Sequence, residues 1–461
     1  MKIIIVNSPL FRERNLLYDE DSLPPLGLGY IGTTLKRNGF DVTLIDAVFQ
    51  RIPLGELIEM LEDEKPSFVA VNVFTTNKDL VKELLESISF QTHIIIGGLS
   101  TKHLYQEIIY WKTSNQIDIV TGDGELITLD IVTNQVNEAA FLQLENRRVF
   151  QVNDKSSYLL KDISNVPLDR SFFLNEPVRH MLGFTEANIV TSRGCIYNCA
   201  FCAAARSLNR ETEPRERSEV SVINELHEIH QKFPNVNSIR VLDDLFLKHK
   251  KNIERAIRIF SPFNFQWRSM AHVMTFNLAD DQLMHSLKQS GCHELFIGIE
   301  SGSSDILSSI EKTSNVQTII KNLTKVFASG INIKGYFIYG FPKETKKDME
   351  MTFDLARKLK DLSLQYGVNF RTSVFQYRPY HGTQIYHDLE AQGINLQVHP
   401  TEPNNELSDL VGRLQFNFHS GNYSAVENDV LNDYIYRTTN LNGGKIFAGL
   451  KSSQPLQEQK M

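Results

Sequence analysis

Three cysteines fall within eight residues, at Cys195, Cys199 and Cys202, in a chain of 461 residues that holds only one more, Cys292. Spacings of three residues and then two put three thiolate ligands on one short loop. A structural zinc site closes with four ligands, and no histidine stands at zinc-finger spacing from these three. Three thiolates with a fourth position open suit a [4Fe–4S] cluster, which cysteines normally hold. One iron would then be left free to coordinate a substrate. Gly194 lets the backbone come close, and Phe201, between two ligands, can shield the cluster. Cys292 opens an apolar run and reads as a buried structural thiol.

The loop has to be positioned by what surrounds it, and that is a series of strand and helix patterns. Over the first part of the chain, short apolar runs at 2–7, 41–46, 67–73, 93–97 and 118–121 alternate with amphipathic stretches at 26–38, 54–64, 78–89 and 102–110. Strands separated by helices in this way predict a doubly wound parallel sheet. From 141 to 187 the pattern is irregular and reads as a connector. A second alternation begins at 188–192, directly before the cysteines. It continues with strands at 238–242, 266–273, 294–299, 332–338 and 368–376, and helices at 218–232, 250–260, 280–290, 316–329 and 345–362. Six repeats predict a partial (β/α)6 barrel, two units short of a full one. The expected fold is α/β throughout, divided into 1–140, a connector 141–187, a barrel 188–392 and a short C-terminal extension 393–461, whose last residues are polar and expected to fray.

Composition narrows the function. With 48 basic and 55 acidic residues the net charge is −7, against a nucleic-acid or membrane-surface partner. No run is long and apolar enough to span a bilayer, and four cysteines cannot staple a secreted scaffold. A reducing, cytoplasmic setting is expected.

The run Ser192-Arg193-Gly194-Cys195-Ile196-Tyr197-Asn198-Cys199-Ala200-Phe201-Cys202 resembles the radical S-adenosylmethionine (SAM) superfamily, in particular its branch with an N-terminal cobalamin (B12)-binding-type domain. Further motifs follow in the order of that branch over residues 1–390: Pro24-Pro25-Leu26-Gly27-Leu28-Gly29-Tyr30, Val241-Leu242-Asp243-Asp244, Gly298-Ile299-Glu300-Ser301-Gly302, and Gly335-Tyr336-Phe337-Ile338-Tyr339-Gly340-Phe341-Pro342. Tyr377-Arg378-Pro379-Tyr380-His381-Gly382-Thr383 departs from it, with His381 where relatives usually carry proline. The resemblance implies an enzyme that binds SAM at the open iron of a [4Fe–4S] cluster. Reductive cleavage would give a 5′-deoxyadenosyl radical that takes hydrogen from a small polar metabolite or natural-product intermediate. An external one-electron reductant, flavodoxin- or ferredoxin-like, would supply the electron. Two reactions stay open: cobalamin-dependent C-methylation, or a cobalamin-independent dehydratase, lyase or epimerase acting on an aminosugar-like substrate. A non-catalytic sensor or zinc module would leave the ordered barrel motifs without a purpose.

Barrel chemistry sits at the C-terminal ends of strands, which nominates the polar residues there. Asp243, Asp244, Tyr339 and Tyr377 are the catalytic candidates. Phe201, Gly298, Glu300, Ser301 and Gly340 are expected at the cofactor. Arg268 shares a strand face with His272 and could pair with SAM's carboxylate. Arg206, Arg210, Arg215 and Arg217, mixed with Glu211, Glu213 and Glu216, read as a solvated loop.

Gly27-Leu28-Gly29-Tyr30-Ile31-Gly32 imitates a dinucleotide fingerprint, but no strand directly precedes it as that fingerprint requires. These glycines are expected to allow close packing instead. No Asp-x-His-x-x-Gly occurs, so no histidine is offered to cobalt by that route. The corrin, if present, would lie over 74–77, 97–100 and 122–125.

Overall fold

The computed structural model describes residues 1–9, 23–179, 183–312, 315–396, 398–400 and 418–441. The predicted frayed end lies outside them.

The first domain is built on β1 (Lys2–Asn7), β2 (Asp41–Asp46), β3 (Phe68–Asn72), β4 (His93–Gly97), β5 (Gln116–Thr121), β6 (Leu142–Leu144) and β7 (Arg147–Gln151), in the order β2-β1-β3-β4-β5-β7-β6. β1 to β5 pair in parallel, as does β7 with β5, and β6 closes the edge antiparallel. Helices α1 (Leu26–Arg37), α2 (Leu54–Glu64), α3 (Lys78–Ser87), α4 (Thr101–Ile108) and α5 (Glu125–Thr133) cover the two faces. Central strands such as β3 and β4 are near-continuous apolar runs because both faces are buried, one under each of two apolar layers. The doubly wound expectation holds, while the domain runs further than 140. The β6–β7 hairpin, too short to show a pattern in sequence, belongs to its sheet.

Gly29 and Gly32 serve packing. A Cβ on Gly29 would meet the Phe173 ring at 2.2 Å, and one on Gly32 would meet Phe172 at 3.2 Å and Ile5 at 3.3 Å. The connector thus lies directly on α1.

The second sheet contains β8 (Val178–Arg179), β9 (Thr185–Ile189), β12 (Ser238–Val241), β13 (Gln266–Ala271), β14 (Cys292–Glu300), β15 (Asn332–Tyr339) and β16 (Phe370–Gln376), ordered β16-β15-β14-β13-β12-β9-β8. The six from β9 to β16 run parallel and form the expected partial barrel, and β8 adds an antiparallel edge. A separate ribbon pairs β10 (Ser192–Arg193) with β11 (Arg215–Glu216). Another pairs β17 (Val398–Pro400) with β18 (Phe418–Ser420). Helices α6 (Glu219–Lys232), α7 (Lys250–Phe260), α8 (Asp281–Gln289), α9 (Ser304–Ser309), α10 (Val316–Ala328), α11 (Lys346–Gln365), α12 (Gln384–Ala391) and α13 (Asn428–Asn440) complete the described elements. Side-chain caps start them where the sequence offers one: Ser218 before α6, Asp280 before α8, Asn315 before α10 and Thr345 before α11. Cys292 is fully buried in the barrel's apolar layer, as expected.

Candidate active site

The cysteine loop starts where β9 ends, and Asp243 fixes that junction. Its carboxylate accepts from the Thr191 backbone N–H at 2.6 Å, the Thr191 hydroxyl at 2.6 Å and the Ser192 hydroxyl at 2.7 Å. All its acceptor capacity is turned to the chain, so Asp243 positions the loop. Asp244 Oδ2 accepts from Gly194 N–H at 3.2 Å, and Asp244 remains open to the mouth of the barrel. Gly194 has φ +87°, the left-handed turn that brings the chain back toward the strand ends.

Burial pushes all three thiols up, Cys202 to about 12, and each of the other two adds to it. Among the described residues no three Cys, His or acidic side chains converge on a single ion position. Three half-buried thiols on one loop are the donor set that a cluster taking one thiolate per iron needs. A cation completes the site. Burial would lower Lys312, but the charge of Glu300, to whose Oε1 it donates at 2.9 Å, and then those of Cys199 and Cys202 raise it.

Glu300 reaches Lys312 from the end of β14 with φ +65°, at a register irregularity between Gly298 and Glu300. A left-handed glutamate is strained backbone of the kind found at functional sites. Gly298 makes room for the pair: a Cβ there would strike Glu300 Oε1 at 2.2 Å and meet Lys312 Nζ at 3.0 Å. Lys312 carries no motif, and nothing in the sequence announced it. Tyr197, inside the loop, stacks on His272 with centroids 3.9 Å apart. Burial, with Lys312 and His249 nearby, pushes His272 down to about 3, so it is a neutral ring. Phe201 packs edge-on to Phe341 at 5.7 Å and roofs an apolar cluster with Ala200, Ile306, Ile310 and Tyr377.

Several nominated residues are not brought to the loop. Arg268 shares the inward face with His272 but lies four residues earlier, about 13 Å deeper at ~3.3 Å per residue. There it donates to Glu186 at 2.6 and 2.7 Å and pairs with Glu294 at 3.4 Å. A buried guanidinium needs such partners, and the strand pattern gave its face without its depth. Tyr339 packs against α13, its hydroxyl sharing a 2.7 Å hydrogen bond with Thr438. Ser301 is fully buried, bonded to Thr352 at 3.0 Å and to Ser303 N–H at 3.1 Å, so it builds the turn into α9. Gly340 turns the chain with φ +90° and donates to Glu344 at 2.6 Å. Tyr377 lies beneath the loop, and its hydroxyl has no hydrogen-bond partner among the described residues. The arginine loop is solvated only in part: Arg210, Glu211, Glu213 and Glu216 are exposed, while three of its arginines are engaged. Arg217 is buried against Glu225 and the Val190 carbonyl, Arg206 holds Glu213, and Arg215 crosses to Asp123 of the first domain at 2.5 and 3.1 Å.

The strand ends of the first sheet face this mouth. Arg193 reaches Glu125 at 2.5 Å and Asp123 at 3.2 Å. His381 Nδ1 is 3.0 Å from the Thr75 hydroxyl, and Gly382 lies against the His103 ring, where a Cβ would come within 2.4 Å. The proline-to-histidine departure is therefore an interdomain contact.

Residues 189–356 match the model of the radical SAM superfamily, and residues 18–132 match that of the B12 binding domain. The chain therefore carries a radical SAM domain preceded by a B12-binding-type domain. It is 26% identical over 385 residues to an uncharacterized methyltransferase of Pyrococcus horikoshii, covering 81% of this chain and 80% of that one. Among solved structures it resembles the radical SAM methyltransferase TsrM of Kitasatospora setae, determined with cobalamin and a [4Fe–4S] cluster, at TM-score 0.65 and 15% identity, covering 95% and 90% of the two chains. It also resembles the cobalamin-dependent radical SAM enzyme OxsB with aqua-cobalamin, at TM-score 0.62 and 18% identity, over 86% of this chain and 62% of the longer OxsB chain. Likenesses at such identities establish the shared fold. As a radical SAM enzyme the protein uses a [4Fe–4S] cluster and SAM, for which the three cysteines and the Glu300–Lys312 pair are fitting residues. No helix among the described residues is long and apolar enough to cross a membrane.

Proposed function

We propose that this radical SAM enzyme is a cobalamin-dependent methyltransferase that methylates carbon in a small polar metabolite or natural-product intermediate. The observation that carries the reading is the facing of the two domains: the strand ends of the B12-binding-type sheet close over the barrel mouth that holds the cysteine loop. The methyltransferase relative and the cobalamin-bearing neighbours support it.

The first domain's ledge suits a corrin. Gly97 has nothing within 4 Å of where a Cβ would stand, while Phe74 and Leu99 are 36% and 52% exposed at the ends of β3 and β4. Exposed apolar side chains grouped beside an open backbone mark a ligand surface, and ligands of such sheets bind at the carboxyl ends of the strands. When bound, the cluster, SAM and the corrin together supply one-electron cleavage and methyl-transfer chemistry.

The protein's own residues hold and orient. Cys195, Cys199 and Cys202 hold the cluster. Lys312 offsets the thiolates' charge and is placed to take SAM's carboxylate, the part first given to Arg268. Glu300, already facing Lys312, is placed for SAM's amino group or ribose hydroxyls. Asp244, open to the mouth, can accept from a polar substrate. The apolar cluster of Phe201, Phe341 and Tyr377 keeps water from beneath the loop.

The test is product analysis on protein reconstituted without oxygen, supplied with cobalamin and a reductant. S-adenosylhomocysteine alongside 5′-deoxyadenosine is expected, and 5′-deoxyadenosine alone would overturn methyl transfer. Lys312→Met should keep its iron, about four per chain, while binding SAM roughly 100-fold more weakly, about 2.7 kcal/mol. Unchanged SAM affinity would remove Lys312 from the site.

A further inference from the structure

The segment 194–214, which contains the three cysteines, leaves the barrel and returns through the two-residue ribbon of β10 and β11. That ribbon is the neck of the loop, and its register sets Arg193 directly opposite Arg215. Like charges facing each other across a ladder oppose its closure. Here both guanidiniums converge on one carboxylate of the other domain: Asp123 Oδ1 lies 3.2 Å from Arg193 and 3.1 Å from Arg215, and Asp123 Oδ2 2.5 Å from Arg215. Glu125 takes the second arm of Arg193 at 2.5 Å, and the Leu160 carbonyl accepts from Arg215 at 2.7 Å.

Asp123 is itself held firmly. It follows Gly122, whose φ is +95° and where a Cβ would run into the Val152 carbonyl at 2.1 Å, so the turn presents the carboxylate in one place. A second strap reaches the far shoulder of the loop. Lys102 of α4 bonds Glu211 and the Leu208 carbonyl, and Asp154 N–H donates to the Glu211 carbonyl at 2.9 Å.

We propose that Asp123 is a positioning residue for the cluster: the neck of the cysteine loop closes only on a carboxylate supplied by the B12-binding-type domain. The proposal rests on the cluster reading of the loop only for its purpose, since closure of the neck is a property of the metal-free chain as well. Its consequence is that the turn at 122–125, on the ledge proposed for the corrin, and the three cysteines share one mechanical connection. The first domain is then part of the cluster's support even before any corrin binds.

Hydrogen exchange on the full chain tests this, in the metal-free protein and again after iron–sulfide reconstitution. Asp123→Asn, nearly isosteric, removes the one anion that the two facing arginines share and leaves Glu125 on Arg193 alone. Exchange across 192–216 should accelerate by about tenfold or more, with the barrel strands β12 to β16 unchanged. The reconstituted variant should show an altered electron paramagnetic resonance spectrum of its reduced cluster. Adding Arg215→Gln to Asp123→Asn removes one of the repelling charges and should return most of the lost protection. Exchange at 192–216 like that of the unmodified protein would overturn the proposal. So would acceleration spread evenly over both sheets, or a double variant no better protected than the single one. Failure of the cluster reading would show separately, as an unmodified chain that takes up no iron.

Discussion

At the closed end of the barrel, Arg268 and Arg371 grip Glu294, and Arg268 also grips Glu186; at the open end, Arg193 and Arg215 grip Asp123 and Glu125. Both networks are made of arginines and carboxylates, and their surroundings separate them. The closed-end group joins β9, β13, β14 and β16 inside one sheet and is buried almost completely. Burial alone would raise Glu294, but Arg371 and Arg268, helped by Lys334, hold it down at about 2. The open-end group joins two domains and keeps some solvent access. Burial would raise Asp123 too, and hydrogen bonds from Arg215 with the charge of Arg193 bring it below its ordinary value. The same chemistry thus holds the barrel together at one end and seats a functional loop at the other.

The comparison breaks most readily on stability. Arg268→Ala leaves Glu186 buried without its cation, while Glu294 keeps Arg371, and should cost about 3–5 kcal/mol in denaturant unfolding. Arg193→Gln, at a partly exposed interdomain contact, should cost about 1 kcal/mol or less. Equal losses would mean that the two ends are not different in kind.

Glu344 sharpens the comparison as a buried carboxyl that neither arrangement serves. Its Oε2 accepts from Gly340 and Phe341 N–H, and its Oε1 has no hydrogen-bond partner among the described residues. Burial, outweighing those two bonds, raises it from 4.5 to about 8. Between those values the unfolded chain has lost the proton while the folded one retains it, so stability should fall as pH rises through that window. Glu344→Gln should flatten this part of the stability–pH curve. A curve unchanged by the substitution would show that the carboxyl titrates normally.

Much of this was legible in the sequence where one signal sufficed. Helix limits followed the amphipathic period, as with α7 and α10, and strands followed short apolar runs. The cysteine spacing named the cofactor loop. What could not be read were quantities set by three-dimensional depth or by distant partners. Alternation along β13 gave the inward face of Arg268, but its depth depended on Glu186 and Glu294, carboxylates on other strands. Tyr339 stood at a strand end, as a catalytic residue would, yet α13 covers it from 99 residues away. Lys312 follows α9 without a motif, and only folding sets its charge beside the thiolates. Arg215 read as part of a solvated loop because Asp123, which it meets at the neck, lies in another domain's turn.

In the proposed arrangement the cysteine loop and the first domain's ledge border one chamber. Electron paramagnetic resonance on anaerobically reconstituted protein tests it directly, with the cluster reduced and cobalamin in its paramagnetic Co(II) form. Each signal should be broadened or split by the other, and the effect should disappear in Cys199→Ala protein lacking the cluster. Two full-intensity signals, each identical to that of the singly loaded protein, would contradict it.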